Sequence, residues 1–400
     1  MRVLFLIAEY RPVVGGAEIQ AERLATALAT RGVEMEVLTR RPRRLRNTEV
    51  VDGVTVYRVW GPGHGRWKML GQTAAMLRFL RTRRGYDILH AHQALYPAYV
   101  AVAVGRARRI PIVVKPGNVG SRFDLSVLKN ALPLGIGRHM ANAIANGATR
   151  LIALNERMRA ELEAWGVSAE RIADIPNGVP VREQASPARR TAARRKLGLE
   201  DSFDDGVLVC TASLTPKKDH STLLRAMSRL ADSDLRPLLL LVGDGPRRRA
   251  LEAMTAELGL VRQVRFEGWR SVVWDYLYAA DCFVLCSTVE GLSNALLEAM
   301  SIGLPCVASD APGNRDLLDD GVAGQLYRAR DDSALAARLR IVLGDQVVAE
   351  RLGRAARLTV ESRYSIERVA EQYHHLYCTL LNDRSLDNGS PRAALEFYRC

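Results

Sequence analysis

The chain has 400 residues, of which 48% are apolar, and its mean hydropathy is −0.07. That composition is typical of a globular protein and that length is too great for one ordinary α/β core, so we expect two domains. No apolar run reaches the roughly 18 residues of a membrane span, the six cysteines lack metal-ligand spacing and predict reduced thiols in the cytosol, and the net charge is +13.

The predicted elements of the N-terminal half begin with a strand at residues 2–8, which is too short for a signal peptide. A loop with Gly15 and Gly16 follows, then a helix that ends at Gly32. Further strands are predicted at residues 33–38, 54–59, 87–92, 112–114 and 150–154. The run from Trp67 to Leu80 has apolar residues at helical spacing between basic flanks. Such a stripe usually packs on a core, and in fewer cases it lies on a membrane surface.

A second series of elements fills the C-terminal half. Residues 186–196 are polar and rich in Arg and Ala, and they lead into predicted strands at residues 205–210, 237–242 and 281–286. A helix follows from Asn294 to Ile302, and Gly303 and Pro305 end it. Because strands and helices alternate in both halves, we expect parallel sheets.

The excess of positive over negative charge lies entirely in the N-terminal half of the chain. Residues 1–182 hold 28 Lys and Arg against 14 Asp and Glu, whereas residues 183–400 hold 29 against 30. Such asymmetry indicates an anionic partner, which is a membrane surface, a phosphorylated acceptor or nucleic acid, or else a solvated arginine-rich surface without a partner. We do not expect nucleic acid, because no RNA-binding aromatic motif, zinc spacing or recognition-helix pattern accompanies the charge.

Two carboxylates stand eight residues apart around the start of the predicted helix 294–302. Glu290 lies in the turn before the helix, and Glu298 lies four residues beyond Asn294, about 6 Å along the helix axis. A helix start has unpaired amides and a partial positive charge, which suit a phosphate. A diphosphate there would have one carboxylate beside a sugar and the other beside a ribose. A lone glutamate at either position would more simply be a surface residue.

The segment from Cys286 to Pro305 resembles the Glu-x7-Glu signature of the retaining glycosyltransferases of the GT-B fold, in the group 1 or GT4-like family. The resemblance continues through residues 308–316, with Gly313-Asn-Arg-Asp316, and through Asp320-Gly-Val-Ala-Gly324. It is strong for the C-terminal half and moderate for the N-terminal half.

The resemblance implies an α/β protein of the GT-B class, with two Rossmann-like domains facing across an interdomain cleft. Residues 1–182 would form the acceptor domain and residues 183–359 the nucleotide-sugar domain. The helices at about 360–381 would pack back on the first domain. We expect the polar residues 382–400 to form a mobile tail.

The resemblance also implies roles for individual residues. Glu290 would be the catalytic residue that binds sugar hydroxyls and positions the transition state, and Glu298 would hold the ribose. The anomeric configuration would be retained, with the departing diphosphate acting as the base. The donor-binding residues implied are Gly16, Lys218, Gly268, Leu292, Ser293, Asn294, Ala295 and Glu298.

The sequence departs from the family pattern at two places. Ser213 stands where the family has an arginine for the diphosphate, and Lys217, Arg11 or Arg315 are the candidates to replace it. The turn after the strand at 112–114 lacks the histidine that many relatives have. Lys115 or Asn118 would then contact the transferred sugar instead. Gly15, in the glycine loop, and His92, at the end of a predicted strand, are the other candidate sugar or acceptor contacts, although a histidine in such a place is more commonly a core or capping residue.

We expect a glycosyltransferase that moves a hexosyl-type sugar from a UDP- or GDP-sugar to a lipid-linked or glycan acceptor in cell-surface polysaccharide or glycolipid assembly. The alternatives are a soluble small-molecule acceptor or an inactive partner subunit of the same fold. We expect no metal and no cofactor, since Asp232 and Asp234 lie in a connector despite their Asp-x-Asp form. The expected location is the cytoplasm, with peripheral contact to an anionic membrane through basic residues such as Arg81, Arg83 and Arg84.

Overall fold

The computed structural model describes residues 1–13, 15–42, 44–63, 65, 67–199, 205–233 and 235–387. These residues form two compact units, one running from Met1 to Gly178 and resuming at Ile366, the other from Val179 to Ser365. The division falls four residues before the predicted position at 182. At that point the Gln20 amide donates to the Gly178 carbonyl at 2.8 Å and so ties Gly178 to the first unit.

The first unit is an open α/β sheet with helices around it. Its strands are β1 (Arg2–Leu6), β2 (Glu34–Arg40), β3 (Thr48–Val51), β4 (Val54–Val59), β5 (Ile88–His92), β6 (Ile112–Lys115), β7 (Arg150–Ala153) and β8 (Ile172–Asp174). Its helices are α1 (Gly16–Ala29), α2 (Trp67–Thr82), α3 (Tyr96–Arg108), α4 (Asp124–Ala131), α5 (Ile136–Gly147), α6 (Glu156–Ala164) and, from the end of the chain, α15 (Ile366–Asp387). The strand order is β3-β4-β2-β1-β5-β6-β7-β8, and all neighbouring strands are parallel except β3 and β4.

Helix α15 completes the core of the first unit. Its buried residues Val369, Tyr373 and Tyr377 join Phe5 of β1 and Leu24 of α1 in one apolar cluster. The return to the first unit therefore begins at Ile366, whereas residues Val360–Tyr364 form a π-helical turn of the second unit. The tail predicted from residue 382 begins as part of α15, and residues 388–400 lie outside the described residues.

The second unit is a smaller sheet of the same kind. Its strands are β9 (Val207–Thr211), β10 (Leu238–Val242), β11 (Val264–Gly268), β12 (Cys282–Leu285), β13 (Cys306–Ser309) and β14 (Gln325–Tyr327). Its helices are α7 (Pro187–Lys196), α8 (His220–Ala231), α9 (Arg248–Glu257), α10 (Trp274–Ala279), α11 (Asn294–Ser301), α12 (Pro312–Arg315), α13 (Asp332–Gly344) and α14 (Gln346–Thr359). The strands are parallel in the order β11-β10-β9-β12-β13-β14.

In each sheet the chain first adds strands on one side of its first strand and then crosses to the other side, so the winding reverses at that first strand. In the first unit β1 lies between β2 and β5, and in the second β9 lies between β10 and β12. Open α/β sheets bind ligands at the carboxyl ends of the strands where the order reverses. The loops that follow β1, β5, β9 and β12 are therefore the expected positions of a ligand-binding site.

The apolar stripe predicted at 67–80 packs on the core of the first unit. Met76 and Leu80 are fully buried, and α2 packs against α3, β4 and β2. Its exposed side has basic residues instead, with Arg78 and Arg81 in solvent. Within the ranges described above, no helix combines the length and the apolar character needed to cross a bilayer.

Candidate active site

An ion pair joins the loops that follow β9 and β12. Lys218 ends a single helical turn, Pro216–Lys218, and its ammonium donates a hydrogen bond to Oε1 of Glu290. The two side chains are only 14% and 11% exposed. The backbone ties the same loops together, because the Thr288 N–H donates to the Lys217 carbonyl at 2.8 Å. Two residues 72 positions apart in sequence thus form one polar group at the winding reversal of the second sheet.

The predicted helix start lies in the same loop as Glu290. Ser293 is the N-cap of α11, and its hydroxyl accepts a hydrogen bond from the Leu296 N–H at 3.3 Å. Glu298 is buried within the first turns of the helix, whereas Asn294 and Ala295 are half-buried. A helix start presents its first amides and its partial positive charge to whatever lies in front of it. Leu292 to Ala295 therefore form a set of backbone groups suited to a phosphate.

Close packing from the following segment holds the Glu290 loop in place. A Cβ at Gly313 would lie 2.2 Å from the carbonyl oxygen of Gly291, so only glycine fits there. The adjacent Asn314 amide donates to the Ser309 carbonyl at 3.0 Å, and the Ser309 hydroxyl donates to the Ser287 carbonyl at 2.5 Å. The Gly-Asn-Arg run thus acts through the backbone that supports Glu290.

Gly268 lies on the same edge of the sheet, at the end of β11. Its backbone has φ +71, in the left-handed region that favours glycine, and its carbonyl accepts from the Gly243 N–H at 2.8 Å. A Cβ at Gly243 would in turn lie 2.0 Å from the carbonyl oxygen of Ala212, which follows β9. Two glycines therefore allow the carboxyl ends of β9, β10 and β11 to meet.

The position of the family arginine is solvent-exposed. Ser213 points to solvent, with its hydroxyl 3.5 Å from that of Thr215. Arg315 pairs with Asp310 at 3.0 Å. Arg11, in the first unit, forms two hydrogen bonds of 2.5 Å with Glu22. Two of the three candidate replacements therefore already hold a carboxylate.

The predicted glycine loop of the first unit ends at α1. Gly15 is the N-cap of that helix with extended backbone, and Gly16 is its first residue. A Cβ at Gly15 would lie 2.4 Å from a carboxylate oxygen of Glu18, so the Glu18 side chain folds over the helix start. Burial, followed by the nearby charge of Glu9, raises the pKa of Glu18. The helix start in the first unit thus has a carboxyl group beside it.

His92 and Lys115 are partners in the register of β5 and β6, and both are buried. The His92 ring stacks on His90, with ring centroids 4.5 Å apart, and the Lys115 ammonium lies 5.9 Å from the centroid of the Tyr373 ring. His90 Nδ1 is 2.6 Å from the hydroxyl of Tyr377. Burial lowers the pKa of Lys115 to about 7 and that of His92 well below its ordinary value. These two predicted contacts therefore point into the interior, under α15.

Asn118 is half-buried and is linked to a residue that the sequence did not single out. Its amide nitrogen donates to the Asp124 carboxylate at 3.0 Å. The N–H groups of Gly117 and Ala94 donate to the same carboxylate at 2.8 and 2.9 Å. Asp124 is the first residue of α4, where an acidic side chain is commonly only a favourable partner of the helix dipole. Its contact with Ala94, 30 residues earlier in the chain, is one that no local pattern shows.

Among the described residues, no group of three or more His, Cys, Asp or Glu side chains could hold a metal ion. Asp234 lies outside the described residues. The cysteines at 210, 282, 286 and 306 are buried and unpaired, and burial raises the pKa of each thiol. Thiols of this kind are unreactive packing groups.

Two known families account for most of the chain. Residues 190–359 match the family described as Glycosyl transferases group 1, and residues 15–178 match the Glycosyl transferase 4-like domain. A D-inositol 3-phosphate glycosyltransferase of Geodermatophilus obscurus is 30% identical over 362 residues, which cover 82% of this chain and 78% of the relative. The chain belongs to the group 1 glycosyltransferases.

Other similar proteins match nearly the whole length of this chain. The lipopolysaccharide core biosynthesis glycosyltransferase LpsD of Rhizobium meliloti is 28% identical over 365 residues, 91% of this chain and 95% of that protein. The structure of Anabaena HepE in complex with UDP-glucose matches with a TM-score of 0.77 at 21% identity, over 95% of this chain and 100% of that one. The structural likeness confirms the predicted GT-B fold class with two Rossmann-like domains.

Proposed function

We propose that this glycosyltransferase moves a hexosyl sugar from a UDP- or GDP-sugar to an anionic, lipid-linked or glycan acceptor, with retention of the anomeric configuration and without a metal. The observation that carries the proposal is the second unit's Lys218–Glu290 pair beside the start of α11. A cation, a carboxylate and a helix start at one winding reversal are the groups that a sugar diphosphate needs.

In this proposal, different residues of the second unit bind different parts of the nucleotide-sugar donor. Lys218 would bind the diphosphate, and the amides of residues 292–295 would bind the phosphate oxygens at the helix start. Glu290 would then accept hydrogen bonds from sugar hydroxyls, and the buried Glu298 would accept them from the ribose. As the bond from the sugar to the diphosphate breaks, Lys218 and the helix start would stabilise the negative charge that develops on the leaving group.

The names of the similar proteins support this class of substrate. LpsD is named for lipopolysaccharide core biosynthesis, the relative from Geodermatophilus is named for D-inositol 3-phosphate, and HepE was solved with UDP-glucose. A phosphate-bearing or lipid-linked acceptor would also account for the excess of Lys and Arg in residues 1–182.

Measurements of donor binding test the proposal. A thermal-shift panel of UDP-, GDP-, ADP- and dTDP-sugars should identify the donor, and isothermal titration should then give its affinity. Glu298→Gln and Lys218→Ala should each weaken binding by about 1.5–3 kcal/mol, the value of a hydrogen bond to a charged group. Glu257→Gln, an exposed position on α9, is the matched control. Unchanged affinity in both site variants would contradict the assignment, and binding without transfer in the wild type would indicate an inactive partner subunit.

We also propose peripheral contact with an anionic membrane through the first unit. The exposed arginines of α2 and the turn after it support this proposal, namely Arg78, Arg81 and Arg84. Arg83, the other arginine predicted to contribute to this contact, is half-buried. Its guanidinium stacks 4.2 Å from the centroid of the Tyr57 ring and donates to the Tyr57 hydroxyl at 2.8 Å, so it packs on the unit itself.

A further inference from the structure

One buried carboxylate joins two loops at the carboxyl edge of the first sheet. Asp124 is 1% exposed. Its Oδ2 accepts from the Ala94 N–H at 2.9 Å and from the Gly117 N–H at 2.8 Å, and its Oδ1 accepts from the Asn118 amide at 3.0 Å. Ala94 follows β5, whereas Gly117 and Asn118 follow β6. A single side chain therefore links the two loops.

The backbones of these two loops also contact each other directly. Gln93 has a left-handed backbone with φ +68, and its N–H donates to the Lys115 carbonyl at 2.7 Å. A Cβ at Gly117 would lie 3.3 Å from Cγ of Gln93, so the loops are in van der Waals contact. A buried carboxylate must be hydrogen-bonded to be tolerated, and here all three donors come from the loops. Burial raises the pKa of Asp124, whereas the hydrogen bonds from the loops favour its ionised form.

Asp124 also fixes which way the Asn118 amide faces. An ionised carboxylate only accepts hydrogen bonds, so the amide must turn its nitrogen toward Asp124. The amide oxygen of the half-buried Asn118 is then the atom left to accept from a hydroxyl group. Sugar hydroxyls are donors of this kind, and the carboxyl edge beside the winding reversal is where an open α/β sheet binds its ligand.

We propose that Asp124 is a positioning residue that fixes the loops after β5 and β6 so that Asn118 can bind a hydroxyl of the sugar acceptor. This inference rests on the proposed glycosyl transfer and names the part of the first unit that holds the acceptor. Asp124 acts through Asn118 and the loop backbone and does not itself touch the substrate.

The test uses the full-length protein with a panel of immobilised lipid-linked and free saccharides and radiolabelled UDP-glucose or GDP-mannose. Asp124→Asn keeps the size of the side chain but places an N–H donor where an acceptor is needed. It should raise the acceptor KM on the order of tenfold or more, since hydrogen bonds to a charged group are lost, and leave the donor KM unchanged. A merely structural role would instead lower kcat through loss of folded enzyme and leave both KM values unchanged.

Two further variants make the test specific. Asn118→Ala should raise the acceptor KM to a similar extent. It should lower the melting temperature less than Asp124→Asn does, because Asp124 keeps its hydrogen bonds from the Ala94 and Gly117 N–H groups. The double variant should have an acceptor KM no higher than either single variant. Asp52→Asn is the control, because it is exposed in a turn with φ +48 that asparagine tolerates. An acceptor KM unchanged by Asp124→Asn, or fully additive effects, would overturn the inference. A wild type that transfers no sugar would overturn the proposed function, and this inference with it.

Discussion

Replacing Lys115 with methionine should stabilise the first unit, and by a larger margin at pH 7 than at pH 9. Lys115 is 5% exposed at the end of β6, beside His92 and the ring of Tyr373. Burial lowers its pKa from 10.5 to about 7, because the charged ammonium is poorly solvated there. Methionine fills a similar volume and has no charge to bury.

The sign and size of the effect follow from proton binding. Between about pH 7 and pH 10.5 the unfolded chain keeps the Lys115 proton that the folded chain has lost. Stability rises with pH wherever the unfolded state binds more protons, so the wild type gains about 1.4 kcal/mol per pH unit in this window. Since the amine is half-protonated near pH 7, the gain from Lys115 between pH 7 and pH 9 is about 2 kcal/mol. Lys115→Met lacks this gain, and its stability advantage should shrink by that amount.

Urea unfolding at pH 7 and pH 9, followed by circular dichroism and tryptophan fluorescence, measures the two free energies of unfolding. Subtracting wild type from variant at each pH removes the contributions of tyrosines and cysteines that titrate nearby. Lys68→Met, at an exposed position on α2, is the control and should show no such change. Equal differences between wild type and Lys115→Met at both pH values would refute the reasoning, because Lys115 would then be protonated in the folded state.

Three other outcomes are expected. Gly313→Ala should weaken donor binding and destabilise the second unit by about 1–3 kcal/mol, since its Cβ would lie 2.2 Å from the Gly291 carbonyl oxygen; unchanged titration and melting curves would contradict the packing argument. The protein should sediment with anionic but not zwitterionic liposomes, and high salt should reverse the binding. Neutralising Arg78, Arg81 and Arg84 should weaken this sedimentation, whereas Arg83→Gln should mainly lower the melting temperature. Equal sedimentation with both vesicle types would count against membrane contact. Transfer should continue in EDTA, and a strict need for Mn²⁺ or Mg²⁺ in the product assay would count against a metal-free mechanism.

The sequence by itself determined the parts of this protein that depend on neighbouring residues. Alternating apolar runs and turn residues predicted most of the strands within one or two residues, because strand periodicity and glycine or proline boundaries are local signals. The helix predicted at 294–302 is observed at Asn294–Ser301 for the same reason. The short antiparallel strand β3 and the helices between β5 and β7 were not predicted.

Only the tertiary structure decided which distant residues meet. Lys218 and Glu290 belong to separate sequence motifs, and their pairing depends on β9 and β12 being neighbours in the sheet. The Ala94 loop reaches the Asp124 carboxylate only because β5 pairs with β6. The sequence predicts Arg83 as part of a basic surface, and in the structure its guanidinium stacks on the Tyr57 ring. Sequence patterns report the preference of each segment, whereas burial and pairing depend on long-range packing, which no single segment contains.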